Sequence, residues 1–273
     1  MFKKLIHPTI LIVAIFFSYE VTGLSDQTTL FTAAFLISLF VVIIVMESRF
    51  FYEKRSIPTL YEIKEYLLFF CMAIGVSAIV RAINEGIYSG EPPLAVNFPL
   101  PIEIITALVL SEFGFYWYHR IAHSSPFLWK IHGLHHQIKK VNVGTYFYLH
   151  PLDAAFFYIA VSLPIIFIGF SAEAVYMVFI IQQTQKLLMH SNTGAPVRFL
   201  NYFLITAELH RMHHSKVLKE AGNFGGVLSI WDLLFGSYKT RKDFVPVEYG
   251  VYDQEKWPTT IRGLILHPFV KKR

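Results

Sequence analysis

The chain has 273 residues, of which 54% are hydrophobic, 16% aromatic and only 16% charged, and its mean hydropathy is +0.47. A soluble domain carries about a quarter charged residues, so an ordinary soluble globular fold is excluded and the chain belongs in a bilayer. The net charge of +5 calls for no nucleic-acid partner, because the basic residues gather beside apolar runs, where they meet anionic lipid headgroups.

In chain order six apolar runs stand out: Leu5–Phe17, Leu30–Met46, Tyr66–Val80, Ile102–Tyr118, Ala154–Phe170 and Ala174–Met189. Each is near the ~17–20 residues that cross the hydrocarbon core, the last two on the short side. The pattern predicts an all-α polytopic bundle of four to six membrane helices carrying a histidine-rich helical cap. Lys3 and Lys4 give the first run the layout of a signal peptide. No small-x-small cleavage site follows in Ser18-Tyr19-Glu20-Val21-Thr22-Gly23, which favours a retained helix. Cys71, in the third run, is the only cysteine, so there is no internal disulfide and no cysteine-based metal or redox motif. Pro164 interrupts the fifth run, which allows the fifth and sixth to form a hairpin that enters the membrane without fully crossing it.

Lysine and arginine set the expected orientation. The N-terminus carries Lys3 and Lys4, the 47–65 loop Arg49, Lys54, Arg55 and Lys64, and the 119–153 loop Arg120, Lys130, Lys139 and Lys140. Twelve more follow Met189. The connections at 19–29, 84–101 and 171–173 carry none and hold Glu20, Asp26, Glu85, Glu91 and Glu173 instead; Arg81 and Lys186 stand outside the pattern. By the positive-inside rule the basic side is cytoplasmic, and the clustered histidines all fall there. The organisation expected is N-terminal membrane helices over 1–101, a catalytic region over 102–250 and a C-terminal tail over 251–273. That tail mixes Ile261, Leu264, Ile265 and Phe269 with Arg262, Lys271, Lys272 and Arg273, and reads as a membrane-surface piece or a solvated end.

Ten of the twelve histidines lie between His119 and His214. Eight form three clusters: His119-x3-His123, His132-x2-His135-His136 and His210-x2-His213-His214. Residues three or four apart share a helix face, so each cluster can aim two or three imidazoles at one point. Neutral imidazole ligates iron, zinc, copper or nickel. Eight converging rings suit two metals with four protein ligands each and positions left open. His150 and His190, at the mouth of the fifth–sixth hairpin, are further candidates; if both bind, each metal has five. For either, the alternative is a buried histidine bonded to backbone. His7 and His267 have no sequence neighbours of this kind and read as interfacial side chains. Asp153, Glu112, Glu208 and Asp232 are the acidic candidates for fixing ring orientation from behind; Glu112 precedes His119 by two helical turns, and Asp232 has bracing of the turn at Gly236 as its alternative. Absent motifs narrow the chemistry. There is no Glu-x-x-His, as carboxylate-bridged di-iron bundles use, and no His-Glu-x-x-His peptidase helix. Neither a glycine-rich dinucleotide fingerprint nor a P-loop occurs, so electrons must come from elsewhere.

The three clusters resemble the histidine boxes of the membrane-bound fatty acid hydroxylase and sterol desaturase superfamily. Three further stretches are similar to it: Glu112-Phe113-Gly114-Phe115-Tyr116-Trp117-Tyr118-His119-Arg120, His190-Ser191-Asn192, and Asn223-Phe224-Gly225-Gly226 through Trp231-Asp232 to Phe235-Gly236. The resemblance runs from about Ile102 to Gly250. It implies a non-haem di-iron oxygenase that uses O2 to hydroxylate or desaturate a sterol, an ether lipid or an acyl chain. The eight boxed histidines carry over as iron ligands, and His190 matches a further ligand position. Lys186 stands where the acyl-hydroxylase branch has another histidine, which tilts the reading toward the sterol desaturase or alkylglycerol monooxygenase side. No His-Pro-Gly-Gly signature of cytochrome b5 is present. The resemblance therefore implies a separate electron donor, a cytochrome b5 or ferredoxin-type reductase or tetrahydrobiopterin. A membrane zinc hydrolase, a metal transporter and a bis-histidine haem carrier remain as rivals. The first would use fewer ligands, usually with carboxylates; the others place ligands within the spans.

Overall fold

A computed structural model describes residues 2–22, 28–53, 59–87, 94, 97–193, 198–217, 219–241, 246 and 248–270. Of the charges invoked above, Lys54, Arg55, Asp26, Glu91, Lys271, Lys272 and Arg273 lie outside the described residues, as do the side chains of Lys3, Lys4, Arg81 and Glu85. The described chain is all helical. Ten α-helices follow in order: α1 (Phe2–Thr22), α2 (Thr28–Arg49), α3 (Leu60–Ile87), α4 (Leu100–Ser124), α5 (Pro126–His136), α6 (Pro151–Ile168), α7 (Ala172–Met189), α8 (Ala207–His213), α9 (Ile230–Leu234) and α10 (Ile261–Leu266). Only isolated bridges, and no strand, occur among the described residues.

Five of these helices are long and apolar enough to cross a membrane: α1 from Leu5, α2, α3 to Val80, α4 and α6. The sixth apolar run becomes α7, which is not among them; it carries Gln182, Gln183, Thr184, Gln185 and Lys186 in its second half. α3 outruns its apolar segment at the N-terminal end because Thr59 and Glu62 form a reciprocal cap: Thr59 N–H donates to Glu62 at 2.7 Å, and Glu62 N–H to the Thr59 hydroxyl at 3.2 Å. The outer faces of the long helices expose Ile12, Leu30, Ile37, Ile79 and Ile105, side chains whose burial a bilayer supplies.

Helix ends set the framework of the cap. α4 and α5 are separated by Ser125 alone, whose side chain accepts from Leu128 N–H, with Pro126 at the first helical position. α6 opens on His150 and Pro151 and closes on Gly169, whose φ of 75° is the left-handed conformation glycine tolerates. Ser171 caps α7 and is itself held by the buried Glu103 of α4, so the α6–α7 turn is tied to the start of α4. α4 crosses α6 so closely that a Cβ on Gly114 would stand 1.9 Å from the Ala160 carbonyl oxygen. α1 packs on α7, and His7 meets the Gln185 side chain at 2.9 Å, so it has a partner that its sequence neighbours did not reveal.

The C-terminal tail is folded against α5. Trp257 covers Gly133, leaving no space for a Cβ there, and its ring lies 4.5 Å from that of His267. Leu264 joins Phe69, Leu134, Ile138, Val141 and Tyr148 in one core cluster, and Lys130 Nζ donates to the Val270 carbonyl at 3.0 Å. Leu264 faces protein, while Arg262, Phe269 and Val270 stay exposed.

Candidate metal centre

Nine imidazoles converge where α4, α5, α7 and α8 meet, and they sort into two groups. His119, His123, His132, His136 and His213 form one; His135, His190, His210 and His214 form the other. Within each, one nitrogen per ring lies within 4.8 Å of all the others. The assignment cuts across the sequence clusters. His135 and His136 are neighbours on α5 yet point into different groups, and so do His213 and His214 at the end of α8. The groups share a wall, with the His136 and His214 rings 4.5 Å apart.

Five rings are fixed from behind through Nδ1. His119 faces the Phe224 carbonyl at 2.8 Å, His135 the Tyr148 carbonyl at 3.1 Å, His190 the Lys186 carbonyl at 2.7 Å and His213 the Gly222 carbonyl at 2.7 Å. The fifth, His132, faces the Asp153 carboxylate at 2.8 Å. An Nδ1–H donor in each case leaves the Nε2 lone pair turned inward. The inward atoms then crowd: Nε2 pairs approach at 3.1 Å for His119–His132, 3.2 Å for His132–His136 and 3.2 Å for His135–His190. His190–His210 and His210–His214 follow at 2.9 and 3.0 Å. His123 Nε2 and His213 Nε2 are buried with no hydrogen-bond partner.

This donor set fits metal ions. Bare lone pairs 3 Å apart repel, and a buried polar atom without a partner costs about 1–3 kcal/mol. A shared cation removes both penalties. Imidazole–metal bonds of about 2.0–2.1 Å place two donors at right angles about 3.0 Å apart, the spacing seen here. Burial, then the neighbouring imidazoles, lowers His136, His190, His210 and His214 well below the usual histidine range; His135 falls to about 4 and His213 to about 3. Such rings are neutral at pH 7, the form that ligates.

His150 lies in neither group. It caps α6, its Nδ1 accepting from Leu152 N–H at 3.1 Å, while Nε2–H faces the Ile265 carbonyl at 3.1 Å. Both nitrogens face backbone groups, the alternative that the sequence left open for this residue. Lys186 places its Nζ 4.9 Å from the centre of the Phe115 ring, and its carbonyl supports His190.

Of the four acidic candidates, Asp153 alone touches an imidazole; its other oxygen accepts from the Tyr118 hydroxyl at 2.5 Å. Glu112 and Asp232 act one step further out. Glu112 accepts from Gly226, Val227 and Leu228 N–H and from Gln182. Asp232 accepts from Phe224 and Gly225 N–H and from Ser237. Together they clamp the glycine-containing loop that presents the Phe224 carbonyl to His119. Asn223, at φ 56°, starts the loop, and its side chain donates to the Leu209 and Lys239 carbonyls. Glu208 holds Asn201 at 3.2 Å and meets no histidine. The four backbone carbonyls carry no side-chain signal in the sequence. Tyr118 does carry one, as a phenol directly beside His119 on a helix reaching α6.

Fold and site together define an all-helical protein with membrane-length apolar helices and a buried two-compartment polyhistidine centre. The fatty acid hydroxylase family profile matches residues 104–237. Ornithine lipid hydroxylase OlsE of Rhizobium tropici is 33% identical over 146 residues, covering 52% of this chain and 43% of that protein. Human alkylglycerol monooxygenase is 31% identical over 175 residues, 62% of this chain and 38% of its own. Methylsterol monooxygenase 2-2 of Arabidopsis thaliana is 24% identical over 151 residues, 52% and 57% respectively. Over residues 104–237, just under half of its length, the chain is similar to the fatty acid hydroxylase family. It spans about two fifths of the length of the first two relatives. No solved structure matches it.

Proposed function

We propose that this protein is a membrane-bound non-haem di-iron oxygenase that uses O2 to hydroxylate a membrane lipid. The observation that carries the reading is the pair of convergent imidazole groups, in which five neighbouring Nε2 pairs stand 2.9–3.2 Å apart. Hydroxylation is favoured over desaturation because the relatives are named as an ornithine lipid hydroxylase, alkylglycerol monooxygenases and a methylsterol monooxygenase. Their common chemistry is insertion of oxygen into a lipid.

His119, His123, His132, His136 and His213 would hold one iron, and His135, His190, His210 and His214 the other. When bound, the irons supply the redox chemistry that activates O2 and oxidises a C–H bond. Burial keeps His135, His136, His190, His210, His213 and His214 neutral, and five of the nine rings are fixed through Nδ1. Phe115 and Phe157 stack 4.5 Å apart beside His119, giving the centre an apolar wall toward the membrane helices. An apolar surround excludes water and positions an alkyl chain, and positioning decides which C–H bond is attacked. Residues 102–250 would form the catalytic region on the cytoplasmic face. Electrons would come from a separate donor, a cytochrome b5 or ferredoxin-type reductase or tetrahydrobiopterin.

Lipid profiling of cells expressing the protein under isotopically labelled O2 tests this. The proposal expects a heavy-oxygen label in one lipid class, absent with His135→Ala. A product labelled from water instead of O2 would point to the zinc hydrolase.

A further inference from the structure

The four-histidine group leans on a helix outside the region that the family profile matches. Glu47 sits in the last turn of α2 and is 3% exposed. One of its carboxylate oxygens accepts from two backbone donors, Val143 N–H and Asn192 N–H, each at 2.8 Å. Val143 opens the 3-10 turn Val143–Phe147, which leads to Tyr148, the residue whose carbonyl takes the His135 Nδ1–H. Asn192 stands two residues beyond His190. A single oxygen is therefore the shared anchor of the two backbone segments that carry the support of His135 and His190 itself, and the Nε2 atoms of those rings approach at 3.2 Å. The junction is stitched further. Tyr52 N–H donates to the Asn192 carbonyl, Glu53 N–H to the Asn192 side-chain oxygen, and the Asn192 amide to the Glu53 carbonyl, all at 3.0 Å. The outer supports of the five-histidine group are Asp153, Phe224 and Gly222, none of which touches this junction.

We infer that Glu47 is a positioning residue for the four-histidine site, setting the separation of His135 and His190, so that α2 is part of the metal centre and not an anchor alone. The inference rests on the reading of both groups as metal sites. Removing the carboxylate leaves two buried N–H groups without their acceptor, and the segments carrying His135 and His190 lose their common reference.

The test is metal binding by the purified full chain, titrated with ferrous iron against a chelator, with fold monitored by elution and thermal unfolding. Glu47→Ala is expected to weaken one of the two metals about 10–100-fold, the usual cost of losing a support behind a ligand, and to leave the other unchanged. Glu47→Gln, whose amide oxygen still accepts both N–H groups, keeps both metals. In a His210→Ala background, where the four-histidine site is already broken, Glu47→Ala changes nothing further. If the alanine variant does not fold, Glu47→Asp, too short to reach both amides, carries the same expectation. Loss of both metals alike, retention of both at wild-type affinity, or a glutamine variant as impaired as alanine would overturn the inference. A wild-type chain that binds no metal refutes instead the reading beneath it.

Discussion

Of the four acidic candidates, Asp153 is the one that reaches an imidazole, and it does so with Tyr118 bonded to its second oxygen. Replacing it with leucine removes the acceptor behind His132 and frees that ring to rotate or change tautomer. Metal affinity of the five-histidine group is expected to fall about 10–100-fold, read by chelator competition. Tyr118→Phe should cost less, since Asp153 still holds His132. Equal affinities in wild type and Asp153→Leu would remove Asp153 from this role. At this scale the sequence was partly legible. The helical spacing within each box announced convergence, but not that His135 and His136 would face different groups, because adjacent residues differ by about 100° around a helix and only tertiary placement says which side each partner takes. His150 shares the hairpin mouth with His190 but stands outside both groups. Its local context, a polar residue directly before Pro151 at a helix start, is a capping pattern, and that is the role it fills.

Among elements, the decisive contacts are close approaches that only glycine permits. Gly114→Ala would push a methyl group against the Ala160 carbonyl, 1.9 Å away, and force α4 from α6. Overpacking of this kind costs about 1–3 kcal/mol. Because α4 carries His119 and His123 while α6 carries Asp153, a lowered unfolding temperature in detergent should come with loss of metal. Gly225→Ala meets the Leu228 carbonyl at 2.3 Å and should displace the loop that offers Phe224 to His119, with α4–α6 packing intact. A Gly225→Ala protein with unchanged metal affinity would show that the loop does not position that ring. Long apolar runs made α1 to α4 and α6 readable. The docking of residues 251–270 on α5 carries no such signal: Leu264 turns inward and Arg262 outward, an alternation that a membrane-surface helix shares.

For the whole molecule, the bilayer and the centre constrain one another. Apolar helices with lipid-facing isoleucines surround a cap whose nine imidazoles are drawn from four helices, and the basic loops lie on the histidine side in sequence. The orientation that follows is open to direct labelling. In a Cys71→Ser background, Lys140→Cys, at an exposed cap position, should react with a membrane-impermeant maleimide only from the cytoplasmic side; labelling of intact cells from outside would invert the topology.

On the proposed function, nine histidines hold two irons. Elemental analysis of detergent-purified protein from iron-replete cells tests it most directly, with His135→Ala alongside. Proposed ligands in two groups predict about two irons per chain, falling to about one when a four-histidine ligand is lost. Zinc retained in iron excess, or no metal at all, would contradict it.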